Sequence, residues 1–98
     1  LENIVHNELV SRGYAVYVGK LDALEVDFIA EKAQQKVYVQ VAYRLEGEQA
    51  VQREFAPLLK IGDSYPKFVV TMDPHFSDTI EGVRHIPLER FLTDGRLF

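Results

Sequence analysis

The sequence contains no cysteine, which excludes disulfides and thiolate zinc sites and fits a reducing, cytoplasmic setting. It also lacks a membrane-spanning run. Its longest apolar stretch is about seven residues and is broken by Gln40, against the ~20 that a spanning helix needs. No secretory leader pattern is visible. Positive charge is in deficit: 11 Lys and Arg face 15 Asp and Glu, for a net charge of −4. A domain that binds nucleic acid unaided is usually basic, because neutralising phosphates supplies most of its affinity. Arg44, Arg53, Lys60 and Lys67 are the one basic grouping that could form a local strip, and scattered solvated charges are the simpler expectation. The P-loop, the Gly-rich dinucleotide loop, the Ser/His/Asp triad order and the HExxH pair are missing as well. His6, His75 and His85 are too far apart in the chain for ligand spacing.

What is present is the composition of a folded chain, with 47% hydrophobic and 11% aromatic residues. Ninety-eight residues support one domain, 1–98, with a modest core. The sequence opens at Leu1 already in helical pattern, so a domain cut from a longer protein is expected.

Two runs dominate the pattern. Leu24 to Glu31 and Lys36 to Tyr43 read as strands, and Lys32-Ala33-Gln34-Gln35 is the polar turn of a hairpin between them. Each strand places a polar residue where an apolar one would normally sit, Asp27 in the first and Gln40 in the second. An acid inside a Val/Phe/Ile run needs a partner or a task. Alternation puts Glu25, Asp27, Ile29 and Glu31 on one face and Val26, Phe28 and Ala30 on the other. Both faces of the second strand are largely apolar, so it is expected at the centre of a sheet.

Around the hairpin, residues 1 to 12 read as a helix. Gly13 is placed as its C-cap, and Arg12 favours its dipole. Tyr14 to Val18 is a strand, which completes an antiparallel meander. Residues 47 to 61 form a second helix that Pro57 should kink or split near Phe55. Lys67 to Met72 is a strand parallel to the second hairpin strand, because a helix crosses between them. Asp73 to Glu81 is loop, Val83 to Ile86 a short edge strand, and Pro87 opens a last helix at its first position. The expected fold is α/β (α+β in some schemes), in the order α-β-β-β-α-β-β-α. A central mixed sheet of four or five strands is flanked by helices.

Two groups of residues can carry chemistry. The loop Asp73-Pro74-His75-Phe76-Ser77-Asp78 follows a strand, where α/β ligand sites often lie, and its side chains could hold a cation. A turn capped by its own Asp and Ser side chains is the simpler reading. The second group is Glu2, Glu25, Asp27 and Gln40. A helix followed by a meander, with an acid in mid-strand and a polar residue on the next strand, resembles the PD-(D/E)XK, or restriction-endonuclease-like, fold. The match is closest to the uncharacterised C-terminal domain of bacterial and archaeal AAA-type ATPases. The stretches ENIVHNELVSRGYAVYVGK, EVDFIAE, VYVQVAY and EFAPLLKIGDSYPKFVVTMD are similar to that family and cover nearly the whole chain.

The resemblance implies an ATPase domain upstream, where any ATP would bind, and a degenerate nuclease site in this chain. Active members of the fold hold Mg²⁺ with a helix acid, the Asp of the first hairpin strand and a Glu on the second, and a Lys two residues later orients water. Glu2 matches the helix acid and Asp27 the strand Asp, whereas Gln40 and Ala42 stand at the Glu and Lys positions. A Gln carbonyl is a weaker ligand than a carboxylate for hard Mg²⁺. Losing one preorganised group typically costs about 10²–10³ in rate. Glu25 could add a carboxylate, and Lys20, Lys36 or Arg44 a cation, but none has the family's spacing.

The expected function is therefore a non-catalytic accessory module that contacts nucleic acid, a partner protein or neighbouring subunits and needs no cofactor. The first alternative is an endonuclease dependent on Mg²⁺ or Mn²⁺ that uses Glu2, Glu25 and Asp27. The second is an oligomerising module, suggested by the acidic surface and by Phe91 and Phe98. For Asp27 itself, a polar lock competes with a metal site: its partner would be the Gln40 amide or backbone N–H groups, worth roughly 1.5–3 kcal/mol.

Overall fold

The computed structural model describes residues 1–21, 24–45, 47–73 and 79–94. Helix α1 (Glu2–Ser11) leads into an antiparallel meander of β1 (Ala15–Leu21), β2 (Leu24–Lys32) and β3 (Gln35–Val41). Helix α2 (Gly47–Leu59) crosses over to β4 (Lys67–Thr71), which lies parallel to β3. Strands β5 (Thr79–Ile80) and β6 (Val83–Pro87) and helix α3 (Leu88–Thr93) complete the chain. The result is a mixed sheet of order β1-β2-β3-β4-β6-β5 with helices on both faces.

The meander, the parallel crossover and the central β3 are as expected, but the sheet has six strands rather than four or five. The extra one is β5, too short for its periodicity to register. Its two-residue turn to β6, Glu81-Gly82, has positive φ at both positions, +47° and +88°. That is the backbone a tight hairpin turn needs. As a result β6 is not an edge strand: it lies between β4, to which it is parallel, and β5. Helix α2 also runs unbroken through Pro57 to Leu59. Proline so near the end removes a single N–H from the last turn, which is cheaper than a break in mid-helix. Pro87 is the N-cap of α3 rather than its first helical residue.

Two cores hold the sheet. On one face Val5 and Leu9 of α1 and Phe91 of α3 pack on Phe28, Val39, Phe68 and Ile86. On the other, Phe55 and Leu58 of α2 pack on Val26, Tyr38, Val69 and Val83. Every residue of β4 is buried, which accounts for the apolar run Phe68-Val69-Val70 at its centre. The clusters place Val26 under α2 but Phe28 under α1, so strict alternation fails within β2.

The cause is a β-bulge. Tyr17 pairs with Ile29 and Gly19 with Val26, so two steps along β1 match three along β2. The extra residue falls at Asp27-Phe28. A bulge bends its strand and re-aims the side chains around it. Glu25 consequently no longer shares the face expected from counting in twos, and it lies exposed opposite Lys20.

Gly19 stands at the bulge, where β1 and β2 approach closely. A Cβ there would come within 2.8 Å of Ile29 Cγ1 and 3.0 Å of the Val26 carbonyl oxygen. We expect Gly19→Ala to lower the unfolding free energy by about 1–3 kcal/mol, the range for overpacking, because a Cβ meets the branched Ile29 side chain and the Val26 backbone carbonyl. Urea denaturation measures it, and an unchanged midpoint would mean that the strands approach less closely than their register requires.

Gly13, at φ +93°, ends α1 as expected of a C-cap glycine. Arg12 departs from expectation, because its guanidinium reaches beyond its own helix. It donates to the carbonyl oxygens of Phe91 (2.5 Å) and Asp94 (3.4 Å) at the end of α3 and to Glu8 (2.7 Å). The two terminal helices on this face are thereby joined directly.

Candidate functional site

The open end of the β2–β3 hairpin carries the site. The ladder is in register from Lys32↔Gln35 to Phe28↔Val39 and stops there. One step further Asp27 would face Gln40, but the bulge spreads the strands and side chains replace the ladder. The Asp27 backbone N–H donates to Gln40 Oε1 at 2.6 Å. The Val41 backbone N–H donates to Asp27 Oδ2 at 2.8 Å. Each side chain thus satisfies an amide of the opposite strand that the splay would otherwise strand. Gln40 is only 7% exposed, and Asp27 is half-buried.

The expected contact between Asp27 and Gln40 is therefore present in a different form. The Gln40 carbonyl accepts from the Asp27 backbone, where we anticipated the Gln40 amide donating to the carboxylate. This fixes the amide's orientation and engages its one carbonyl oxygen. Judged by donor chemistry, the fit to a divalent ion is poor: Gln40 offers a neutral carbonyl oxygen that already accepts one N–H, and one Asp27 oxygen accepts another. Among the described residues no group of three or more His, Cys, Asp or Glu side chains could hold a metal.

Charge around Asp27 is nonetheless dense. Burial pushes its carboxyl above the ordinary range, the Val41 amide opposes this, and the negative charge of Glu2 adds to it. Glu2 at the start of α1 is thus close enough to Asp27 to be felt. Sequence reasoning missed Glu54 on α2, whose carboxyl is also pushed up, first by burial and then by Asp27. Its one signal was its place directly before Phe55, in a helix whose charges otherwise read as solvated. Ala42 lines an open cleft of about 310 Å³ with Leu1, Glu2, Asn3, Val41 and Tyr43.

One residue of the suggested basic strip, Lys67, is taken inward. Its ammonium donates to Asp63 Oδ1 (3.0 Å) and to the carbonyls of Asp63 and Tyr65. Tyr38 Oη donates to Asp63 Oδ2, which closes a polar cluster under the α2–β4 connection. Arg53 lies 3.7 Å from Glu54, and Lys36 turns to Glu31 and the Tyr65 ring. The side chain of Lys20 lies outside the described residues, as do Pro74 to Asp78 of the candidate cation loop. Asp73 donates its N–H to Thr71 Oγ1 (3.0 Å). Thr71 in turn contacts His85 Nε2 (2.5 Å) in a buried pair joining β4 to β6. A histidine within the run Val83-Arg84-His85-Ile86 was the one hint of that pair. Phe91, read as part of an oligomerising end, is fully buried in the core, and Phe98 lies outside the described residues.

These titrations set opposing pH dependences. Asp27 and Glu54 have folded-state pKa values above their unfolded ones, so the native chain binds more protons there. Their contribution to stability improves as pH falls from neutral through the raised values. For Asp63, burial pushes the carboxyl up, but bonds from Tyr38, Lys67 and the Tyr65 amide outweigh it and hold the value below the ordinary 3.8. That contribution is present above 3.8 and is lost as pH falls through the lowered value. Unfolding free energy should therefore hold or rise between about pH 7 and 5 and fall below about pH 4. Denaturant titrations across that range test it, and a steady decline from neutral pH would contradict it.

No protein-family profile matches the chain. Over 86 residues, 88% of its length, it is 45% identical to an uncharacterized protein of Haemophilus influenzae. The matched segment is 21% of that protein, so the chain spans about one fifth of the relative's length. No helix among the described residues is long and apolar enough to cross a membrane.

Proposed function

We propose that the chain is an accessory module of a larger AAA-type ATPase, built on a PD-(D/E)XK-like scaffold whose catalytic grip has become a structural lock. It acts in the cytoplasm through contacts with nucleic acid, a partner protein or neighbouring subunits. The observation that carries this is the reciprocal pair at the hairpin's open end, where Gln40 Oε1 and Asp27 Oδ2 each accept a backbone N–H. Together with alanine at position 42, it leaves the site without the second anionic ligand and without the cation that would steady a developing charge. The relative supports the modular part, since its matching segment is 21% of a longer protein.

Incubation of the chain with plasmid and single-stranded DNA in Mg²⁺ and in Mn²⁺ is expected to leave both intact. Nicking that Asp27→Ala abolishes would overturn the proposal. It would favour a second reading, an endonuclease using Glu2 and Asp27, with Glu54 in the place first given to the exposed Glu25. That reading draws its support from the electrostatic coupling of Glu2 and Glu54 to Asp27, which gathers negative charge where a cation would be attracted.

A further inference from the structure

We draw no further inference here: the strongest candidate, the cleft of about 310 Å³ between the start of α1 and the end of β3, with Glu2 at its mouth and Asp27 close by, belongs to the site already described.

Discussion

Arg12→Ala is expected to lower the unfolding free energy by about 2–4 kcal/mol, since hydrogen bonds to a charged group contribute about 1.5–3 and a cation–π contact about 0.5–2. The guanidinium sits 5.3 Å from the centre of the Phe91 ring while donating to the Phe91 and Asp94 carbonyls and to the Glu8 carboxylate. Carbonyls at a helix end have no partner within the helix, so the arginine completes α3 from another element. Helix α3 is six residues long, too short to hold its shape without tertiary contacts. Truncation would leave the Phe91 carbonyl without this donor and would loosen Phe91, which is fully buried among the α1-side residues. Arg12→Lys should recover only part of the loss, because one ammonium cannot serve Glu8 and two carbonyls with the geometry of the planar fork. Chemical denaturation of the three proteins measures both effects. A loss below about 0.5 kcal/mol for the alanine variant, the range of an exposed ion pair, would show that α3 holds its place without Arg12.

The parts of this fold that were legible in the sequence are those whose signal is local and repeated. Helix α1 with its closing Gly13, the hairpin strands and the buried β4 each repeat their pattern over several residues. The parallel pairing of β3 and β4 follows from the helix between them. What escaped notice depended on single residues acting at long range. The bulge at Asp27-Phe28 changes which face Val26 joins, and nothing within β2 announces it. Beside it on the neighbouring strand stands Gly19, where a Cβ would come within 2.8 Å of Ile29 Cγ1. The destination of Arg12 lies 79 residues away, and local reasoning assigned it to its own helix dipole. Lys67 looked like a surface cation because charge predicts exposure, but three oxygens of the α2–β4 connection hold it. For the site, the pairing of position 27 with position 40 was legible, since two polar residues interrupt adjacent strands. Which atoms meet was not, because that depends on where the bulge ends the ladder.

The second large effect concerns Asp27 and separates a lock from a metal grip. Asp27→Ala should lower the unfolding free energy by about 1–3 kcal/mol, because the Val41 N–H loses its acceptor at a partly buried position. Asp27→Asn makes the opposite demand. An asparagine carbonyl oxygen can accept the same N–H, and the substitution removes a carboxylate disfavoured by burial and by Glu2. At pH 7 the Asn variant should therefore be at least as stable as the unaltered protein. The native Asp27 carboxyl titrates above its unfolded value of 3.8, so the unaltered protein should gain on the Asn variant as pH falls through that range. If the site instead gripped a divalent ion, the charge itself would be needed. The Asn variant would then lose as much as the Ala variant in the presence of Mg²⁺, and Mg²⁺ would raise the melting temperature of the unaltered protein alone. Thermal and denaturant melts of the three proteins at two pH values, with and without Mg²⁺, distinguish the cases. Equal stability of the Asn variant and the unaltered protein, with no response to the ion, would make Asp27 a structural acceptor for the splayed end of the hairpin.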